Sequence, residues 1–498
     1  MQTKKKFGFI AGTIAFIVFL LIDDLDPARS QINAMTAITV LMAVLWITEA
    51  IPLAATSLIP FIFFPITGIL AAEEIATSYI NSIIFLFLGG FLIAIAMEEW
   101  SLHKRIALRI MTVFGGNPIS IIIGFLVSGA MLSMWISNTA TALMLLPIGL
   151  AVIQKLENEF GQEKTHNFNV NLLLSIAYSS SIGGIATIIG TPPNLVMVKM
   201  VTILFPNAPE ISFSSWMIVA LPISLLMLCA VAILLTKFLF KVDNEIKLEK
   251  KFIENEYKQL GKFSFEEKAV SIVFILTALL WIFRSDIPLG FITIPGWSNL
   301  IPTSDFINDG TVAITMAFIL FLIPSKAGKR SLLDHTAFNK VPWGIILLFG
   351  GGFALAKGFA STGLSEVIGE QLKGLSSVSP IWIIIITATL VTFLTELTSN
   401  TALTQMILPI VASVSVALGL NPLLLMLTAT ISASMAFMLP VATPPNTIIF
   451  AGGRIKIFEM AKTGFALNII GVIVISFLVY FLGNLIFGLD TFPVWAKP

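Results

Sequence analysis

Long apolar runs separated by short polar breaks organise this chain. Runs of membrane-spanning length predict crossings at about 7 to 22, 34 to 51, 53 to 70, 80 to 98, 170 to 200, 213 to 236, 268 to 284, 310 to 324, 342 to 359, 421 to 451 and 465 to 487. A helix needs roughly 20 apolar residues to cover about 30 Å of hydrocarbon, which sets the window for that reading. Two further segments, 117 to 155 and 376 to 419, are each a pair of apolar arms around a polar tip, and they read as hairpins that return to their own side. The pattern predicts an all-α polytopic membrane protein with about 11 transmembrane helices and two re-entrant hairpins.

The polar breaks recur. Ser137-Asn138-Thr139-Ala140 precedes Ser399-Asn400-Thr401-Ala402 by 262 positions, and Gly89-Gly90-Phe91 precedes Gly351-Gly352-Phe353 by the same 262. Gly190-Thr191-Pro192-Pro193-Asn194 precedes Ala442-Thr443-Pro444-Pro445-Asn446 by 252, the difference falling at a polar loop expected over Glu157 to Asn171. Two halves of five crossings each must enter the membrane from opposite faces, so the repeats are inverted, as in secondary transporters whose substrate sits between them. The expected organisation is an N-terminal helix and loop (1–33), a first repeat (34–240), a cytoplasmic linker (241–267) and a second repeat (268–498). Residues 98 to 110 alternate charge and bulk at helical spacing, as a helix lying in the interface would.

Charge fixes the orientation. With the N-terminus inside, the basic runs Lys104 to Arg109, Lys237 to Lys268, Lys326 to Lys340 and Arg454 to Lys462 all face the cytoplasm. Were each hairpin a full crossing, the basic stretch 237 to 268 would share a side with the acidic stretch 23 to 26. Lys4, Lys5 and Lys6 before the apolar run Phe7 to Ile22 resemble a signal peptide, but Asp23-Asp24-Leu25-Asp26 stands where a cleavage site belongs, so a retained helix is expected. The reading is a multi-pass protein of the plasma (inner) membrane with a cytoplasmic N-terminus. Composition agrees, with 57% hydrophobic and 11% charged residues, where a soluble chain carries about a quarter charged. A net charge of +1 gives no field for nucleic acid, and the single cysteine, Cys229, permits no internal disulfide.

Segments 110 to 154, 167 to 198 and 374 to 453 contain no Lys or Arg, and their only acidic residue is Glu396. One Ser-Asn-Thr triplet reads as a helix N-cap; two at matched positions of inverted repeats meet near the midplane, where caps become ligands as well. Thr191-Pro192-Pro193 and Thr443-Pro444-Pro445 should break their crossings, because proline removes a donor and disfavours helix at the residue before it. Irregular backbone at membrane depth survives only against protein or a water-filled cavity, so the breaks point to a site. Helix N-termini and side-chain amides suit carboxylates, while carbonyl and hydroxyl oxygens suit a hard monovalent cation such as Na⁺, one site per tip. Lys357 reads as a snorkelling residue or a built-in cation, and Glu396 as its partner or a cation's. Glu49, at a helix end, reads as an interfacial or packing residue and not as a ligand. His103, His166 and His335 fall in loops or at interfaces, against proton coupling. There is no metal cluster, nucleophile-base pair or nucleotide loop to suggest an enzyme.

The paired triplets, the Thr-Pro-Pro-Asn elements and Trp46-Ile47-Thr48-Glu49-Ala50-Ile51-Pro52 resemble the divalent anion/sodium symporter family, over nearly the whole chain. The resemblance implies a homodimer in the lipid bilayer, each protomer with a scaffold and a mobile transport domain, working by an elevator mechanism on C4 to C5 dicarboxylates. It places substrate at Asn138, Thr139, Asn400, Thr401 and Thr443, with the Pro192 and Pro444 regions closing the site. It places one Na⁺ at Ser133, Ser137, Asn138 and the Gly190 backbone, and another at Thr395, Ser399, Asn400 and the Ala442 backbone. Ser179 to Gly184 is richer in serine and glycine than Ser432 to Phe437, which could make the two cation sites unequal. Na⁺-independent exchange of one dicarboxylate for another stays open, as does, more remotely, an inorganic-ion antiporter using Glu396 or Lys357.

Overall fold

The computed structural model describes residues 2–22, 31–114, 116–243, 245–246, 250–288, 292–328, 330–372, 374 and 378–497. The acidic stretch 23 to 26, part of the linker and the start of the second hairpin lie outside the described residues. Apart from a two-stranded antiparallel pair, Ile287–Pro288 with Thr293–Ile294, the regular elements are helical.

Seven helices among the described residues are long and apolar enough to cross a bilayer: Gln31–Thr48, Ala72–Glu99, Asn138–Phe160, Phe213–Leu239, Trp343–Thr362, Asn400–Ala417 and Ile457–Phe487. Shorter apolar helices accompany them at Leu53–Ile66, Pro118–Ser133, Pro192–Leu204, Asp309–Leu322, Pro380–Thr395 and Pro422–Ser432. Ile272, Ile275 and Leu279, all on one helix, are exposed apolar side chains of the kind a lipid phase tolerates. The chain is an all-α polytopic membrane protein.

Two expected elements differ in form. The run 53 to 70 is two short helices, Leu53–Thr56 and Ile59–Ile66: Pro60 has no N–H to donate to the Thr56 carbonyl and its ring crowds that carbonyl, so the first helix stops there and Pro60 sits in the first turn of the second. The polar loop expected over Glu157 to Asn171 is a sharp corner at Gly161, φ 83°, between the helices Asn138–Phe160 and Gln162–Ile185. Asn158, Glu159, Gln162, Glu163, Lys164 and Asn167 are exposed around it, while Glu157 and Asn169 are buried as a pair: Asn169 Nδ2 donates to Glu157 Oε1 at 2.8 Å, and Arg454 reaches the same oxygen.

Each tip is a helix-turn-helix. The first joins Pro118–Ser133 to Asn138–Phe160, the second Pro380–Thr395 to Asn400–Ala417, and in both the asparagine is the first helical residue after a serine at the N-cap. Each Pro-Pro-Asn element opens a short helix, Pro192–Leu204 or Pro444–Phe450, with proline at the first turn, where its missing N–H costs nothing. The halves interlock crosswise. The return arm Asn138–Phe160 packs on Pro444–Phe450, and Asn400–Ala417 packs on Pro192–Leu204. The paired Gly-Gly-Phe elements sit where helices touch backbone to backbone: a Cβ on Gly89 would lie 2.6 Å from the Ala313 carbonyl carbon, and one on Gly351 2.5 Å from the Ser57 carbonyl oxygen.

Candidate functional site

At the first tip, Ser133 Oγ lies 2.7 Å from Asn138 Oδ1 and 2.5 Å from the Ser180 carbonyl oxygen. A hydroxyl has one proton, so it cannot donate to both. Turned round, the Asn138 amide nitrogen would lie 3.0 Å from Ser180 O, 2.7 Å from Ser133 Oγ and 3.3 Å from Gly190 O. The amide therefore has two settings. Nitrogen inward, it satisfies the cluster itself; oxygen inward, it completes an all-oxygen pocket that only a cation balances. Gly184 makes room for this: a Cβ there would sit 2.5 Å from Asn138 Oδ1 and 3.0 Å from Gly190 O.

The unwound backbone between Ile185 and Pro192 is pinned by Asn194, whose Nδ2 lies 2.7 Å from Thr187 O, 3.1 Å from Gly184 O and 3.3 Å from Ile185 O. Thr187 Oγ1 donates to Met134 O at 2.5 Å and accepts from the Gly190 amide at 3.1 Å, tying the bend to the hairpin tip.

The second tip repeats this plan. Thr395 Oγ1 lies 2.7 Å from Asn400 Oδ1 and 2.8 Å from Ala433 O, again one proton for two acceptors. Asn446 Nδ2 lies 3.2 Å from Ala436 O and 3.1 Å from Leu439 O, the positions 252 beyond Gly184 and Thr187. The unwound stretch is longer here, running from Ala433 to Thr443. Glu396, where the first half has Met134, holds it: Oε1 accepts from the amides of Phe437 at 2.7 Å and Met438 at 2.9 Å and from Asn468 Nδ2 at 2.8 Å, and Oε2 accepts from the Leu439 amide at 3.1 Å. All four partners are donors, so a proton on this group would face no acceptor and the carboxylate form is the one the site holds. Lys357 does not meet it; its Nζ donates to the Glu74 carbonyl at 3.2 Å.

The remaining expected residues divide. Ser137 accepts from the Ala140 amide at 3.2 Å as an N-cap, whereas Ser399 holds the same position without a side-chain cap bond. Ser137 and Thr139 line a cavity of about 210 Å³ with Phe91, Trp135 and Ile189, and Glu98 and Lys340 also border it. Thr401 is buried, Thr443 Oγ1 is buried without a partner, and Ala442 is buried in the unwound stretch, its amide donating to Leu439 O at 3.2 Å. Among the described residues no side-chain hydrogen bond joins one tip to the other, and no group of His, Cys, Asp and Glu could hold a metal. Gly184, Ser180 and Ala433 were not legible as cluster members, since two of them act through backbone carbonyls. The asparagines closing each Thr-Pro-Pro-Asn element were visible as a repeat, which was the available signal for their pinning role.

The sodium:sulfate symporter transmembrane region, as a family model, matches residues 3–489. The chain belongs to that family. It is a membrane transporter and not an enzyme. It is 43% identical over 490 residues to the sodium-dependent dicarboxylate transporter SdcS of Staphylococcus saprophyticus, covering 97% of this chain and 92% of that one. SdcS of Staphylococcus aureus strain MRSA252 is 42% identical over 496 residues, covering 98% and 93%. Among solved structures, the YdaH transporter of Alcanivorax borkumensis, whose topology is described as unusual, aligns with a TM-score of 0.55 at 11% identity over 83% of this chain and 90% of that one, a likeness of fold alone.

Proposed function

We propose that this protein is a secondary active transporter of C4 to C5 dicarboxylates such as succinate, malate, fumarate and 2-oxoglutarate, driven by Na⁺ symport. The observation that carries the reading is the gathering of oxygens at each hairpin tip. With the Asn138 amide oxygen inward, Ser133, Asn138 and Ser180 at one tip bring two acceptors to a single hydroxyl proton beside the Gly190 carbonyl, and Thr395, Asn400 and Ala433 do the same at the other. A desolvated monovalent cation is what such a cluster lacks. The SdcS relatives, named as sodium-dependent dicarboxylate transporters, support the same ion and substrate.

With no Lys or Arg in the tip segments, a dianionic substrate depends on the bound cations for its countercharge, which couples the two. Asn138, Thr139, Asn400 and Thr401 would present amides, hydroxyls and helix N-termini to the two carboxylates. The reading takes 34–240 and 268–498 as inverted repeats joined by 241–267, with the hairpins re-entering from opposite faces of the plasma membrane and the N-terminus cytoplasmic. It takes the functional unit as a homodimer in which the tips and broken helices slide, elevator-fashion, against the rest.

The test is labelled succinate uptake into proteoliposomes, either empty or preloaded with unlabelled succinate, with and without an inward Na⁺ gradient. Na⁺-dependent uptake into empty vesicles is expected. Uptake only into preloaded vesicles, indifferent to Na⁺, would make the protein an exchanger.

A further inference from the structure

Gln405 is fully buried, and neither its Oε1 nor its Nε2 has a hydrogen-bond partner. It lies one helical turn after Thr401 on the return arm, so the two residues share a face. Its side chain lies across Gly352, where a Cβ would come within 2.4 Å of Gln405 Cδ and 2.6 Å of Oε1. A buried amide unpaired at both ends lowers the stability of the state that contains it, and a residue kept only for packing would be apolar. The matched position in the first half, 262 residues earlier, is Leu143.

The surroundings of the two residues differ in the same sense. Gly90, Phe91, Ser137, Thr139 and Leu143 line the cavity of about 210 Å³, and a Cβ on Gly90 would meet nothing nearer than Ile189 at 3.7 Å. Among their counterparts, Gln405 lies against Gly352 and fills the matching space, Phe353 and Gln405 are fully buried, and Thr401 is buried. One gap between hairpin tip and glycine-rich helix is thus open while its partner is shut. In a transporter of two inverted repeats, the opposite access state exchanges these arrangements between the halves.

We propose that Gln405 is a substrate-specificity residue that acts on one side of the membrane only. When the second gap opens, the Gln405 amide faces it beside Thr401 and donates from Nε2 to a substrate carboxylate, a contact that Leu143 cannot supply at the first gap. This rests on the dicarboxylate reading above and on the second hairpin entering from the outer face.

The test compares wild type and Gln405→Leu in right-side-out and inside-out membrane vesicles with labelled succinate and a fixed Na⁺ gradient. The expected result is a rise of about tenfold in the outer-face KM with the inner-face KM unchanged, the loss of one good hydrogen bond. Equal shifts at both faces, a shift at the inner face alone or no shift at either overturns the proposal. Should Gln405→Leu fail to fold, Gln405→Cys in a Cys229→Ser background decides. Modification by a membrane-impermeant maleimide from outside, slowed by succinate, supports the proposal, and no modification from either face overturns it. Wild-type vesicles that take up no succinate would instead overturn the transport reading, so the two failures are distinguishable.

Discussion

Glu396 Oε1 lies 2.7 Å from the Phe437 amide nitrogen, and that contact makes the two halves of a duplicated site unlike. The first half fastens its bend to the tip with a neutral threonine hydroxyl, Thr187 on Met134 O. The second fastens a longer bend with a carboxylate that gathers three successive amides, an arrangement that resembles a backbone anion nest. Glu396 directly follows Thr395 in sequence, so a fixed negative charge stands beside one oxygen cluster and not beside the other.

Replacing that charge tests the asymmetry. Glu396→Gln keeps the shape but turns an amide nitrogen toward donors, so one backbone amide loses its acceptor, at a cost on the order of 1–3 kcal/mol. The variant should melt earlier in detergent and need more Na⁺ for half-maximal succinate uptake. A variant matching wild type in both would show that the carboxylate neither orders the bend nor aids the cation.

Gly184→Ala addresses the first cluster. The new methyl would stand 2.5 Å from Asn138 Oδ1, too close to be accommodated without moving the amide or the Gly190 carbonyl at 3.0 Å. Half-maximal Na⁺ should rise by about tenfold or more, equivalent to roughly 1.4 kcal/mol, in Na⁺ titrations of uptake. Ala436 occupies the matched position in the second half, so the second cluster tolerates what the first should not. Unchanged Na⁺ dependence would remove position 184 from the cation pocket.

What the chain disclosed in advance follows from which physical signals are periodic. Ser133 with Asn138, and Thr395 with Asn400, were legible because side chains that serve the same purpose in two repeats recur at one offset. Carbonyl oxygens carry no such mark, so Ser180 and Ala433 emerged only from the fold, and Ala433 falls one position off the 252 offset from Ser180. Glu396 was conspicuous as the lone acid of an uncharged region, but its partners are backbone amides some forty residues away and Asn468 on another helix, contacts that no spacing rule reaches. The polar stretch around Gly161 misled for a related reason. Most polar side chains there are exposed, but they sit on the facing ends of two helices, so exposure did not require a long loop; Glu157 and Asn169 are buried and pair with each other, and Glu157 with Arg454.

Acidification should act through His103 on the helix Leu102–Phe114. Burial holds its imidazole pKa below the ordinary 6.5, against the opposing hydrogen bond to the Met97 carbonyl and with help from nearby Lys104. The folded state therefore binds its proton less readily than the unfolded chain, so stability is undiminished above 6.5 and declines as pH falls below it. Thermal melts between pH 7 and pH 5 should fall less steeply for His103→Gln than for wild type. Parallel curves would exclude this residue as the origin of the slope.

Arg105, on the same helix, binds the other side of the molecule's midpoint. Its guanidinium donates to Glu267 Oε1 at 2.6 Å and Oε2 at 3.1 Å, and to the carbonyls of Gly261 and Leu260 at 3.1 Å each, while Tyr257 and Phe263 lie 5.7 and 5.4 Å from it across their rings. Glu267 is already engaged as the capping-box residue of Phe265–Ile282, so one carboxylate caps the start of that helix and anchors Leu102–Phe114. A lysine supplies charge but not a planar fork, and it cannot meet the carboxylate and two carbonyls together. Arg105→Lys should cost about 1–3 kcal/mol. Arg105→Ala, which strands a buried carboxylate, should cost about 3–5 kcal/mol. Detergent melts of the two variants should therefore rank wild type, lysine, alanine. A lysine variant as stable as wild type would reduce the cluster to a simple charge pair and leave the linker free to move relative to the helix that carries the first hairpin.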